Sequence, residues 1–384
     1  MNSGPLIAFA GGGSGGHLYP VLAVANRLAA LIPGLRLLFL ATDRVIDAHI
    51  LAAESAEVVR QTVRPLPRRP WQWPGFLLGW RRSRQDCRRR FRRERPMAVL
   101  GSGGFASAPA ICEAARVGIP TALLNPDAVP GRANRWLGPR ADAIFAQWAD
   151  TVDHFNGHTQ VLVTGCPVRP EFREADREAG IQHFGLDPAK KTLLVTGASL
   201  GARSLNEAMV AALPELRRSG LGETWQVLHL TGDKEKAAVT AGYGSDLAGV
   251  RIVGFTKHMA LALSAANLVV CRAGASTLAE ITAMGRPAVL MPYPHHGDLH
   301  QVANSRVLVK AGAGRMVLDH VDPARNGPVL AQALTRLMSN PAELGRLAGA
   351  ARRIGTSNAA TAIAEHLIHL AGRESEELVK ASEK

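Results

Sequence analysis

Cysteine is scarce in this chain, and what there is lies scattered. Cys87, Cys112, Cys166 and Cys271 form no CxxC pair, which argues against a disulfide framework or a cysteine zinc site and suits a reducing cytoplasm. Long apolar runs are missing too. None approaches the ~18 residues of a membrane span, and the N-terminus lacks the charged-then-apolar layout of a signal peptide. Aromatics make up 5% of residues and carry no RNA-binding signature, so nucleic acid is the weakest of the anionic partners that a net charge of +13 invites. A phosphorylated ligand and an acidic membrane surface remain. No Asp-x-Asp occurs, so the motif that other transferases use to hold a metal-bound diphosphate is missing, and neither metal nor cofactor is expected.

What is present is alternation. The 384 residues suit two domains. Short apolar runs at Pro5–Ala10, Leu35–Ala41, Ala98–Leu100, Thr121–Leu124, Ala143–Phe145, Thr192–Thr196, Trp225–Leu230, Leu268–Cys271 and Ala288–Met291 alternate with helical stretches. This is the pattern of parallel sheets with helices on both faces. The pattern restarts at KTLLVTGASLGARSLNEAMVAAL, after a proline- and charge-rich segment near Pro167 to Pro170. The fold class expected is therefore α/β, with two Rossmann-like doubly wound parallel-sheet domains facing across a cleft. The expected divisions are residues 1–167, 168–356, a helix over 357–371 packing back across the cleft, and a frayed tail over 372–384.

The opening stretch, PLIAFAGGGSGGHLYPVLAVANRL, places five glycines and a serine between a strand and a helix. Gly11, Gly13 and Gly16 satisfy G-x-G-x-x-G, whose backbone can approach a phosphate at a helix start. Pro20 fits the first turn of that helix. A dinucleotide site would add Asp43 as its ribose acid, but would give no reason for His17. An imidazole at the loop's end is either a solvated side chain or a general base suited to neutral pH.

Gly197-x-Ser199-x-Gly201 matches a hydrolase nucleophile elbow, with His295, His296 and His300 available later in the chain. It equally suits a second phosphate cradle, with Ser199 donating to a diphosphate and Arg203 nearby. In CRAGASTLAEITAMGRP a strand ends at Cys271 and a helix starts at Ser276 or Thr277. Thr277-x-x-Glu280 then reads as a capping box, or else Glu280 grips ribose hydroxyls. Local pattern favours the cap. In YPHHGDLHQVANS, sugar contacts from Gln301 and Asn304 are favoured over a metal held by His296 and His300. Finally, Trp71, Trp73, Phe76, Leu77, Leu78 and Trp80 precede nine arginines between Arg81 and Arg95. A solvated helix face and RNA binding compete here with membrane contact, which the tryptophan–arginine order favours. Its expected members are Trp71, Trp73, Phe76, Leu77, Trp80, Arg81 and Arg82.

In order, GGGSGGHLYP, LGSGGFASAPA, VPGRANRWL, GCPVR, GASLGARSLNE, GFTKHM, CRAGASTLAE and HQVAN make the chain resemble the MurG family of peptidoglycan N-acetylglucosaminyltransferases. The resemblance implies a GT-B fold and transfer of N-acetylglucosamine from its UDP donor to undecaprenyl-diphospho-N-acetylmuramyl-pentapeptide, at the cytoplasmic face of the bacterial membrane. It implies His17 as general base, and Ser14, Gly15 and Gly16 at the leaving diphosphate. Gly103, Gly104 and Ser107 would form an acceptor or diphosphate loop. Arg169 and the Thr256 backbone would meet uracil, and Ser199 a phosphate. Ala275, Ser276, Thr277, Leu278, Ala279 and Glu280 would flank sugar and diphosphate, with Glu280 now favoured on the ribose. Gln301 and Asn304 would hold sugar hydroxyls. Asp127 stands where the family has an amide at the donor sugar, within Asn125-Pro126-Asp127 in place of Glu-Gln-Asn.

Overall fold

The computed structural model describes the chain except residues 1–3, 14, 53–55, 68, 156, 158–159, 198–200, 245–246, 295–298 and 383–384. It divides into two compact units, Met1–Arg169 with Asn358–Lys384, and Pro170–Ser357. Each is built on one sheet in which every described pairing is parallel.

The first unit contains β1 (Leu6–Ala10), β2 (Arg36–Thr42), β3 (Glu57–Gln61), β4 (Ala98–Gly101), β5 (Thr121–Asn125), β6 (Ala143–Ala146) and β7 (Gln160–Val163). Their order is β3-β2-β1-β4-β5-β6-β7. The second contains β8 (Lys191–Thr196), β9 (Trp225–Leu230), β10 (Val250–Val253), β11 (Leu268–Cys271), β12 (Ala288–Leu290) and β13 (Gly314–Met316), ordered β10-β9-β8-β11-β12-β13. Both are doubly wound orders that reverse direction beside the first strand of the unit, between β1 and β4 and between β8 and β11.

Period-2 alternation places β1 side chains in two cores. Ile7 and Phe9 join one, and Leu6, Ala8 and Ala10 the other. Phe9 stacks on Phe39 of β2 at 5.1 Å between ring centroids. The closing helix, Ala359–Ser382, contributes Ile363, Ala364, Leu367 and Leu370 to the first of these cores, beside Val21, Ala25 and Leu28 of the opening helix, Gly15–Leu31. The closing helix is longer than the expected 357–371. The stretch expected to fray, which carries the good helix formers Glu and Lys, continues the helix to Ser382. Pro20 also differs from expectation. The opening helix begins at Gly15, as soon as the glycine loop ends, so Pro20 lies inside it and not in its first turn.

The arginine run is divided by its partners. It lies on the helix Trp73–Arg93, which packs on the helix Gly104–Arg116. Glu113, 1% exposed, receives Arg84 at 2.5 Å, Arg88 at 3.3 Å and Arg116 at 3.0 Å. Arg90 pairs with Glu57 and Glu94, and Arg95 donates to the carbonyls of Val117 and Gly118. These arginines hold the unit together, whereas Arg81 and Arg82 are exposed.

Burial pushes the Glu113 carboxyl up, but hydrogen bonds from Arg116, Arg84 and Arg88 outweigh it and hold the group below its ordinary range. A carboxyl held low adds stability above its unfolded titration range, near ~4.3, and loses it as pH falls through the folded-state value. Glu113→Gln is expected to cost about 1–3 kcal/mol at pH 7. Denaturant melts across pH should show that gap closing below about pH 4.

Candidate functional site

In the first unit the site is built at the reversal of strand order. β1 ends at Ala10 and runs into the glycine loop, and β4 ends at Gly101 and runs into Ser102-Gly103-Gly104. His17 is the third residue of the opening helix and is partly buried. Its Nδ1 lies 3.1 Å from the Ser102 carbonyl oxygen. A carbonyl only accepts, so in the neutral ring Nδ1 carries the proton and Nε2 presents its lone pair. Gly104 stands beside that nitrogen, since a Cβ built there would lie 3.7 Å from Nε2. The expected base and the expected acceptor loop are thus brought together. Gly103 caps the helix Gly104–Arg116, and the buried Ser107 hydroxyl donates to the Gly104 carbonyl at 3.0 Å, so Ser107 shapes the loop.

The glycine loop is held from beneath by Asp47, which sequence reading missed. The Gly13 amide donates to both Asp47 carboxylate oxygens, at 2.9 and 2.8 Å, and the Thr42 hydroxyl donates to the same group. Asp47 is fully buried. Gly12 has φ +141°, and a Cβ there would strike the Asp47 carboxylate, so only glycine fits. Arg44 donates to the Gly13 carbonyl at 2.9 Å. Asp43, the acid a dinucleotide site would use, is exposed past the end of β2. The Gly13 amide is therefore committed to a protein carboxylate. Ser14 lies outside the described residues.

Asp127 follows β5. Its backbone carbonyl accepts from the Asn125 side chain at 2.7 Å, and Asn134 Nδ2 donates to Asn125 Oδ1 at 2.9 Å. Arg169 ends this unit, its guanidinium carbon 4.5 Å from the Tyr19 ring centroid. At the helix Trp73–Arg93, Trp71 is 70% exposed, Trp73 42% and Leu77 45%, while Phe76 and Trp80 are partly covered. Phe76 stacks on Trp80, and Trp80 meets Trp136 edge-on at 6.1 Å. Arg140 lies 4.4 Å over Trp136. The aromatic face therefore extends to a second element, Arg132–Leu137, that the linear pattern did not join to it.

In the second unit the equivalent reversal lies between β8 and β11. The helix after β11 is Ala275–Ala283, capped by the Gly274 backbone with no side-chain cap. This corrects the capping-box reading. The helix starts before Ser276, so Thr277 is its third residue and Glu280 lies mid-helix, too late to cap it. Ala275, Ser276 and Thr277 form its first turn, followed by the buried Leu278 and Ala279. Glu280 is partly exposed.

Gln301 and Asn304 lie on the helix His300–Lys310. Gln301 Oε1 accepts from the Tyr293 amide at 2.9 Å. Asn304 is fully buried and donates to the Ala273 carbonyl at 3.1 Å. Here both side chains support the loops after β11 and β12, a role the sequence did not suggest. Thr256 follows β10, its hydroxyl accepting from the His258 amide at 3.0 Å. Ser199, His295 and His296, on which the hydrolase alternative rests, lie outside the described residues.

Beneath the turn after β8, Gly201 at φ +76° passes so close to the Thr231 carbonyl that a Cβ would strike it. Asn206 also donates to that carbonyl, at 3.0 Å, and accepts from His229, whose other ring nitrogen meets the Tyr243 hydroxyl at 2.8 Å. Burial pushes His229 down to about 3. It stays neutral and structural.

Residues 7–146 match the Glycosyltransferase family 28 N-terminal domain, and residues 192–367 the Glycosyltransferase family 28 C-terminal domain. The chain is 36% identical to a UDP-N-acetylglucosamine–N-acetylmuramyl-(pentapeptide) pyrophosphoryl-undecaprenol N-acetylglucosamine transferase of Moorella thermoacetica, covering 94% of this chain and 98% of that one. It is also 36% identical to the enzyme of the same name from Geobacter sulfurreducens, with the same coverage. The crystal structure of Acinetobacter baumannii MurG shares the fold, with a TM-score of 0.75 at 24% identity, over 95% of this chain and 99% of that one. Both halves match one family and the identity extends along nearly the whole length, so the chain belongs to glycosyltransferase family 28, among the MurG N-acetylglucosaminyltransferases.

Proposed function

We propose that this chain is an inverting transferase that moves N-acetylglucosamine from UDP-N-acetylglucosamine to the 4-hydroxyl of undecaprenyl-diphospho-N-acetylmuramyl-pentapeptide. The observation that carries the mechanism is the His17 ring, fixed through Nδ1 on the Ser102 carbonyl with Nε2 beside Gly104. Nε2 takes the proton of the acceptor hydroxyl. The oxygen forms a bond to C1 of the sugar from the face opposite the nucleotide. The bond from C1 to the diphosphate oxygen breaks, and UDP leaves with its electron pair. Charge grows on that diphosphate, where backbone amides at the start of the helix Ala275–Ala283 offer fixed donors.

In the donor assignment Ala275, Ser276, Thr277, Leu278 and Ala279 face the diphosphate and sugar. Glu280 accepts from the ribose hydroxyls, Arg169 and the Thr256 backbone meet uracil, and Gln301, Asn304 and Asp127 set the sugar's surroundings. Ser199 and Ser14 belong to the phosphate contacts. In the acceptor assignment Gly103, Gly104 and Ser107 shape the loop that meets the lipid-linked substrate. The start of this helix at Ala275 removes the capping box that competed with the ribose role of Glu280.

No helix among the described residues is long and apolar enough to cross a membrane. We place the enzyme peripherally on the cytoplasmic face of the bacterial membrane. Trp71, Trp73, Phe76, Leu77 and Trp80 enter the interface, and Arg81 and Arg82 meet anionic headgroups at about 1 kcal/mol each.

Incubation with labelled UDP-N-acetylglucosamine and the lipid-linked muramyl-pentapeptide should yield the β-linked disaccharide product. Absence of that product, or equal transfer from UDP-glucose or UDP-galactose, would overturn the substrate assignment. His17→Ala should lower kcat by about 10²–10⁴ and leave UDP affinity unchanged, as read by titration calorimetry. Glu280→Gln should weaken UDP by about 10-fold or more, the worth of a hydrogen bond to a charged acceptor. Unchanged affinity would remove the ribose contact. The double variant Trp71→Glu, Leu77→Glu should lose sedimentation with phosphatidylglycerol vesicles while keeping the wild-type melting temperature.

A further inference from the structure

Arg272 directly follows β11 and is 6% exposed. A buried guanidinium at the end of an interior strand is costly unless its donors and its charge are met. Here they are. Nη2 lies 2.8 Å from Asp319 Oδ2 and donates to the Ser204 hydroxyl at 2.8 Å, while Nη1 donates to the Met291 carbonyl at 2.8 Å. Ser204 in turn donates to Asp319 Oδ2 at 2.6 Å. Asp319 Oδ1 accepts from Asn326 and from the Val321 amide, both at 2.8 Å. Burial pushes the Asp319 carboxyl up, but hydrogen bonds from Ser204, Val321 and Arg272 outweigh it and hold the group ionised.

The partners come from different strand ends. Ser204 is the second residue of the helix Arg203–Arg218, which follows β8. Met291 follows β12, and Asp319 follows β13. Arg272 stands three residues before Ala275, the first residue of the helix Ala275–Ala283. One planar fork thus joins the starts of the two helices that flank the reversal of strand order in this unit.

We propose that Arg272 is a positioning residue for the donor's diphosphate: its guanidinium, held by Ser204, Asp319 and the Met291 carbonyl, sets the spacing between the first turns of the helices Arg203–Arg218 and Ala275–Ala283. This rests on the donor assignment above. Arg272 does not itself neutralise the diphosphate, because Asp319 already balances its charge. Its effect is geometric. Two sets of main-chain amides bind one diphosphate strongly only when their separation matches the ligand before it arrives. Lysine keeps the charge but not the fork, so it cannot span Met291 and Ser204 at once.

The test compares two ligands on three proteins. UDP carries the diphosphate, and uridine keeps the base and ribose without it. Titration of wild type, Arg272→Lys and Ser204→Ala with each, by calorimetry for UDP and ligand-observed NMR for uridine, separates positioning of the phosphate site from general damage. Ser204→Ala leaves the Arg272–Asp319 pair in place and guards against an unfolded Arg272 variant, with melting temperature as the control. Both variants should bind UDP about 10-fold more weakly, with uridine affinity unchanged and the donor KM raised more than the acceptor KM. Equal weakening of UDP and uridine, or unchanged UDP affinity in both variants, overturns the proposal. A wild-type chain that fails to bind UDP overturns the donor assignment itself.

Discussion

The site depends on one topological constraint, the reversal of direction in each sheet. Where the order turns, at β1/β4 and again at β8/β11, the crossovers leaving adjacent strands run to opposite sides, so the loops above them part and open a crevice. A crevice made by divergent loops has no intrinsic width. Something must span it, and in each unit a described side chain does. His17 reaches from the first turn of the helix after β1 to the Ser102 carbonyl after β4, and Arg272 reaches from the loop after β11 to Ser204 after β8. The glycines alone permit close approach of a ligand but fix nothing. The spanning contacts turn permissive loops into a defined surface.

How far the sequence reveals this depends on burial. All nine strands visible as apolar runs are interior strands, and the ones not visible, β3, β7, β10 and β13, are the sheet edges. An interior strand of a parallel sheet is covered on both faces and reads as an unbroken apolar run. An edge strand such as EVVRQ is half solvated, and its alternation is too short to separate from loop. The same division governs the site. Glycine loops, His17 and the helix after β11 are local patterns and legible. Asp47, Ser102 and the Arg272–Asp319 pair act through contacts separated by tens of residues, and nothing local marks them. The capping box shows the opposite error, a local pattern that was satisfied in sequence and displaced by where the helix begins.

The arginine run teaches a related lesson about charge. Nine arginines in one segment suggest a single electrostatic surface, but a charge run has no function until its partners are known. Glu113, on the neighbouring helix, collects Arg84 and Arg88, and Glu57 and Glu94 take Arg90. Exposed guanidinium at Arg81 and Arg82 sits toward the aromatic end of the same helix. The helix therefore carries arginines of two kinds, those that anchor it and those that stay exposed, Arg81, Arg82, Arg92 and Arg93 among them. Anchoring is what lets Trp71, Trp73 and Leu77 remain exposed without collapsing onto the unit, since a rigid helix keeps apolar side chains where flexible loops would fold them inward.

The two spanning side chains also differ in what their chemistry allows. Imidazole has two nitrogens, and only Nδ1 is used in the contact with Ser102. The second is free to exchange a proton without breaking the link, so the ring can change charge while its position holds. Guanidinium cannot give up its proton at any accessible pH, and Asp319 cancels its charge. It can hold loops apart but cannot take part in proton transfer. Exchanging the two would fail in both places: an arginine at position 17 would present no nitrogen lone pair beside Gly104, and a histidine at position 272 would lack the donors to reach Ser204, Asp319 and Met291 together. What each link can do follows from the side chain that makes it.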